Sequence, residues 1–189
     1  MLYLNPSGSN SYFRIYYHND NTDTLSLDFE LGDDAARINL FNPKLLSNIT
    51  QVDGERYIQS MGGSRVKISL ENLDNLRDLL SGKVLNRVIL TVQALDQEGQ
   101  YNSHEKLRLV KIEDGLTSLL PDAYEASSHI GGDMINGEYI FNITLYFNEI
   151  LSSNNDSHHL YLFSSTPAED ANRTILNEDI KLTIHYSKL

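Results

Sequence analysis

Apolar and polar residues alternate with a period of two along most of this chain, and this alternation constrains its fold more than any other feature. The clearest example is residues 24–31, where Leu25, Leu27, Phe29 and Leu31 are separated by Thr, Ser, Asp and Glu. Successive side chains of a strand point to opposite faces of a sheet, so this segment predicts a strand with one apolar and one polar face. Further strands are predicted near residues 12–17, 36–41, 56–59, 65–70, 86–94, 106–112, 139–144, 159–163 and 181–186.

Two segments have helical spacing instead. Leucines at positions 73, 76, 79 and 80 predict a short helix within residues 71–80, with Asn72 as its N-cap and Gly82 as a stop signal. A second short helix is predicted for residues 145–151.

Paired glycines separate several of the predicted strands. We expect Gly62 and Gly63 to form a structural turn, because glycine adopts positive φ at low cost. Gly131 and Gly132 predict another turn. The length of 189 residues suits one hydrophobic core, and no long linker divides the chain. We therefore predict a single domain over residues 1–189, an all-β, antiparallel sandwich of the jelly-roll kind with about ten strands and one or two short helices.

Charge and composition exclude several classes of function. The formal net charge is −11 and the 15 Lys and Arg residues are scattered singly, so no basic surface is predicted to bind nucleic acid. The same charge disfavours adsorption to an anionic membrane, and no apolar run is long enough to cross a bilayer. The lack of Cys excludes disulfides, thiolate zinc sites and cysteine nucleophiles.

No motif predicts a metal site, a cofactor or a catalytic centre. The six histidines, His104 among them, lack the spacing of metal ligands and are interpreted as solvated loop residues. Residues 19–23 and Glu30 imitate a calcium loop, but Thr24 occupies the position of its glycine, so a polar hairpin turn is the preferred interpretation. Ser64 follows Gly62-Gly63 with no assigned base and is interpreted as a turn residue.

The aromatic residues comprise 11 Tyr and 6 Phe and no Trp. Tyr101 and Tyr124 lie in predicted loops and are the candidate ligand-binding residues. Such a tyrosine either stacks on a sugar ring or lies half-buried at the rim of a core, and both interpretations remain open.

Several short blocks resemble a known family. They are R-Y-I-Q-S-M-G-G-S-R-V-K-I at residues 56–68, L-N-R-V-I-L at 85–90, H-L-Y-L at 159–162, A-N-R-T-I-L at 171–176 and K-L-T-I-H-Y at 181–186. Together they resemble the Bacteroidota lipoproteins grouped as domain of unknown function 4270, with its Y-x-Q-G-x-G-G-x-x-x-K segment and I-N-x-A-x-L strand. This chain departs from the family pattern at Ser60, where the family has Gly, and at Arg87, where it has Ala.

The resemblance covers most of the chain from Asn19 onward and implies a location, but it supplies no activity. It implies a lipid-anchored protein of the outer membrane, cell surface or periplasm, with this chain as its C-terminal part and the anchoring Cys in a longer N-terminal region. Asp23-Thr24-Leu25 also resembles an O-glycosylation acceptor of that phylum, with Thr24 as the modified residue.

The leading hypothesis is therefore a non-catalytic cell-envelope binding or assembly module whose partner is another envelope protein. The alternative is a carbohydrate-binding module, which requires Tyr101 and Tyr124 on one surface. A glycan hydrolase is the third hypothesis and requires two convergent carboxylates in a cleft, which no spacing in the sequence singles out.

Overall fold

A computed structural model describes residues 12–18, 23–30, 54–96, 101–113, 115–126, 128–153, 158–168 and 170–188. The predicted strand at residues 36–41 and most of the loop at residues 19–23 lie outside the described residues. Within the described ranges, no helix is both long and apolar enough to cross a membrane.

The described residues form eleven strands, two α-helices and one 3-10 helix. The strands are β1 (Tyr12–His18), β2 (Thr24–Glu30), β3 (Glu55–Gln59), β4 (Val66–Leu70), β5 (Lys83–Ala94), β6 (Leu107–Glu113), β7 (Leu116–Leu119), β8 (Gly131–Ile135), β9 (Glu138–Asn142), β10 (His158–Ser164) and β11 (Arg173–Lys188). The helices are α1 (Leu73–Leu80), the 3-10 helix (Pro121–Tyr124) and α2 (Thr144–Ser152). Every strand predicted within the described residues overlaps an observed one, whereas β7 and β8 were not predicted.

Strands β3 to β11 are divided between two antiparallel sheets that form a β-sandwich, which confirms the predicted fold class. The larger sheet has the strand order β3-β11-β5-β9-β8 and the smaller one β4-β10-β6-β7. At the centre of the larger sheet, Leu90 of β5 lies opposite Leu182 of β11. Alternate residues of both sheets point inward and join one face of α2 in a single core. Its fully buried side chains include Ile58, Leu90, Leu109, Tyr139, Phe141, Phe147 and Leu160.

Helix α1 begins without the predicted side-chain cap. Asn72 precedes it with a φ of 58°, and its side chain makes no capping hydrogen bond. An N-cap residue has extended backbone that brings its side chain over the first free amides of the helix, which a left-handed residue does not provide. The prediction that Asn72 caps α1 is therefore wrong.

Gly131 and Gly132 lie in strand β8, so the turn predicted for them is also wrong. Both have positive φ, and the register of β8 against β9 shifts between Gly131 and Met134. A Cβ atom on Gly132 would collide with the backbone oxygen of Leu107 and lie 2.7 Å from the Phe141 ring. Glycine is required because this irregular strand passes close to the inner face of the sandwich.

Candidate functional site

Strands β1 and β2 form a two-stranded hairpin with one predominantly apolar face. Their antiparallel register pairs Phe13 with Phe29, Ile15 with Leu27 and Tyr17 with Leu25. Because directly paired residues point to the same side of a sheet, all six side chains lie on one face. The apolar hairpin face consists of Phe13, Ile15, Tyr17, Leu25, Leu27 and Phe29.

Within the part of the chain that the structure describes, the side chains of the apolar hairpin face are exposed. Its six side chains are between 39% and 68% exposed, although they belong to the residue types that usually fill a core. In the described part of the chain, β1 and β2 pair only with each other, and no other described element makes extensive contact with either strand. An isolated hairpin is marginally stable in water, because two strands cannot bury an apolar face by themselves.

The opposite face of the hairpin is polar and carries its charged residues. Arg14 of β1 donates two hydrogen bonds to the Asp28 carboxylate, with Nη2 and Oδ2 2.6 Å apart. This pairing lowers the pKa of Asp28, chiefly through the hydrogen bonds from Arg14. The guanidinium also lies 4.6 Å from the centre of the Tyr12 ring. The hairpin is therefore amphipathic, with no charged side chain on its apolar face.

A buried polar network lies inside the sandwich, and it corrects the interpretation of His104 as a solvated loop residue. His104 Nε2 lies 2.8 Å from Ser60 Oγ, and His104 Nδ1 lies 2.7 Å from Thr174 Oγ1. The Tyr139 hydroxyl donates to the His104 carbonyl oxygen at 2.5 Å. Burial lowers the pKa of His104 and raises that of Tyr139, because an apolar environment disfavours the charged form of each side chain.

Ser60 and His104 are as close as a nucleophile and its base, but the surroundings of the pair differ from those of a catalytic site. Ser60 is only 2% exposed, so a substrate has no access to its hydroxyl. The imidazole is held by the Thr174 hydroxyl, whereas a catalytic histidine is usually oriented by a carboxylate. The network instead joins the end of β3 to β9 and β11 through satisfied buried hydrogen bonds. Sequence reasoning missed it, because its residues are far apart in the chain and follow no motif.

A second buried polar group, Asp122 of the 3-10 helix, holds the start of α2. Its two carboxylate oxygens accept hydrogen bonds from the backbone amides of Leu145 and Tyr146, at 2.9 and 2.8 Å. A negative charge is stabilised there by the free amides and by the helix dipole. His129 Nε2 lies 3.4 Å from Asp122 Oδ1. Asp122 is therefore a capping group contributed from outside the helix that it caps.

The two candidate tyrosines lie in different settings. Tyr101 lines a shallow depression of about 280 Å³ together with Asp96, Asn102 and Ser103, and the Arg173 guanidinium lies 5.0 Å from the centre of its ring. Tyr124 ends the 3-10 helix, is 73% exposed and does not line that depression. The structure therefore brings polar side chains to Tyr101 but shows no ligand-shaped surface that the two rings share within the described residues.

The remaining candidate residues lie in turns and at a strand end. Gly62 has a φ of 75°, and a Cβ atom on Gly63 would lie 2.7 Å from the Cβ of Gln59. Ser64 donates a hydrogen bond to the Tyr57 carbonyl oxygen, which occupies its hydroxyl within the turn. Thr24 is the first residue of β2 and is exposed, as an acceptor of a glycan must be.

No group of three His, Asp or Glu side chains within the described ranges could hold a metal ion. No family model, curated protein or solved structure matches this chain.

Proposed function

We propose that this chain is a non-catalytic assembly module of the cell envelope that docks onto a protein partner through the apolar hairpin face. The observation that carries the proposal is the exposure of six large apolar side chains on one side of a two-stranded sheet. Contiguous apolar surface of this kind is a feature of protein interfaces, and covering it removes the side chains from water.

The hairpin offers a partner two modes of contact. Its apolar face can be covered by the apolar face of another sheet, and its outer edges can accept a further strand through main-chain hydrogen bonds. The charged groups do not oppose this contact, because Arg14 and Asp28 are paired on the other face.

The non-catalytic and envelope parts of the proposal have separate support. The Ser60–His104 pair is enclosed in the core, which supports a structural role for the residues that most resemble catalytic ones. The envelope location rests on the resemblance of residues 56–68 and of the last strands to a family of surface lipoproteins. A lipid anchor in a region preceding this chain would place the module at the membrane with no insertion of the sandwich.

Site-specific photo-cross-linking tests the docking surface. A photoreactive phenylalanine analogue is introduced at Phe13, on the apolar face, or at the neighbouring Tyr12, on the polar face, and the protein is produced in the envelope of a Bacteroidota host. We expect irradiation to yield a discrete protein adduct from position 13 and none from position 12. Absence of a protein adduct from position 13, or equal labelling from both positions, would falsify the proposal.

A second candidate function is carbohydrate binding at the depression beside Tyr101; it rests on Tyr101 alone, because Tyr124 does not line this depression. An aromatic ring beside amide, hydroxyl and carboxylate groups is a common arrangement for a sugar, which needs stacking and hydrogen bonds. A glycan array probed with the purified chain should show saturable binding that Tyr101→Ala removes and Tyr124→Ala retains. Binding that survives Tyr101→Ala rules out this site.

A further inference from the structure

We infer that the partner that covers the apolar hairpin face is a second copy of this chain, so that the two hairpins stack face to face about a two-fold axis. This inference rests on the proposed function, because it names the protein that docks on the same surface. The available area, the distribution of charge and the symmetry of the hairpin support it.

The area is sufficient for a specific dimer. Six side chains that are 39% to 68% exposed present roughly 450–750 Å² per copy, if a large side chain has about 150–250 Å² when free. Two copies would then bury about 900–1,500 Å², a range that includes the lower limit of about 1,000–1,200 Å² for a specific interface.

The distribution of charge permits two copies to meet. No charged residue lies on the apolar face, so stacking brings no like charges into contact at its centre. The net charge of −11 per chain acts over a longer range and opposes association. Salt should therefore strengthen the dimer, because the Debye length falls from about 10 Å at 0.1 M to about 3 Å at 1 M.

The register gives the hairpin a natural centre for a two-fold axis. Ile15 and Leu27 form the middle pair, with Phe13–Phe29 on one side and Tyr17–Leu25 on the other. A two-fold axis that lies midway between the two layers, parallel to both and passing over the middle pair, brings Ile15 and Leu27 of one copy over the same pair of the other copy. The result is two layers of two strands, each covering the apolar face that the other leaves open.

Cross-linking through a single introduced cysteine tests this arrangement, and the natural lack of Cys makes the label unique. Packed sheets lie about 10 Å apart, which is too far for a direct disulfide, so a bismaleimide of about 10 Å reach is used. We expect Leu27→Cys to give a cross-linked species of twice 21.4 kDa. Ser26→Cys places the cysteine on the opposite face of the same strand. Its yield of cross-linked dimer should be at least about tenfold lower, because side chains on that face point away from the second copy.

Sedimentation of the uncross-linked protein gives an independent readout. The natural chain should approach the dimer mass at about 100 μM, whereas Leu27→Asp should remain near 21.4 kDa and Ser26→Asp should behave like the natural chain. A monomeric natural chain at that concentration, or equal cross-linking from both cysteines, overturns the inference. If the Phe13 photo-adduct then contains a different protein, the proposed function stands and only its partner was wrong; if no adduct forms, both fail.

Discussion

The buried carboxylate of Asp122 gives the sharpest test of how this fold is held together. Asp122→Ala would leave two amides at the start of α2 without their acceptors, at positions now 2.8 and 2.9 Å from the carboxylate. A buried donor that loses its partner costs about 1–3 kcal/mol. The Tyr146 amide belongs to a buried residue, whereas Leu145 is partly exposed and its amide can recover a hydrogen bond from water.

The net loss should be smaller than the sum of the two bonds. Removing a fully buried carboxylate also removes the cost of taking that charge out of water, which offsets part of the loss. We therefore expect Asp122→Ala to lower the free energy of unfolding by about 2–4 kcal/mol. Asp122→Asn keeps one oxygen acceptor and should lose about half as much.

Urea unfolding followed by circular dichroism measures this difference. With a slope of about 2 kcal/mol per M, the midpoint of Asp122→Ala should fall by about 1–2 M. Asp133→Ala is the matched control, because it removes an exposed ion pair with Lys106 and should change stability by less than about 0.5 kcal/mol. A midpoint for Asp122→Ala as close to the natural value as that of the control would refute the capping role.

Two further predictions concern other buried positions. Burial lowers the folded-state pKa of His104, so on acidification the unfolded chain binds the proton first. The free energy of unfolding should therefore fall as the pH drops below about 6.5, by up to about 1.4 kcal/mol per pH unit for this group. Urea titrations at about pH 7.5 and about pH 5.5 should show that His104→Gln loses this contribution, and equal pH dependence in both proteins contradicts it. Gly132→Ala should destabilise the fold by at least about 2 kcal/mol, because the added Cβ atom would collide with backbone and with an aromatic ring. The Cβ atom of Gly137→Ala would meet no atom within 4 Å, so this control variant should lose only about 1 kcal/mol through the strain of positive φ. Thermal melts of the two variants check this order, and equal losses would show that the close approach at Gly132 is unimportant.

Local sequence pattern predicted most of the described strands, though not β7 and β8, because side-chain alternation reports directly which residues share a face. The alternation of residues 24–31 predicted the apolar side of β2, and the leucine spacing predicted α1. The same reasoning failed where a residue's role depended on its backbone conformation in the folded state. Asn72 has the chemistry of a cap but a left-handed backbone, and Gly131-Gly132 has the composition of a turn but lies in a strand.

Only the tertiary structure decided what surrounds each polar or apolar residue. Ser60, His104 and Thr174 become partners because β3 and β11 pair and the segment before β6 lies against them, which no spacing in the sequence encodes. Asp122 becomes a cap for a helix that begins more than twenty residues later. The alternation in β1 and β2 fixed which side of the hairpin is apolar, but it could not show that no other described element packs extensively against this side. Alternation sets the direction of side chains relative to their own strand, whereas burial depends on what packs against that strand from elsewhere.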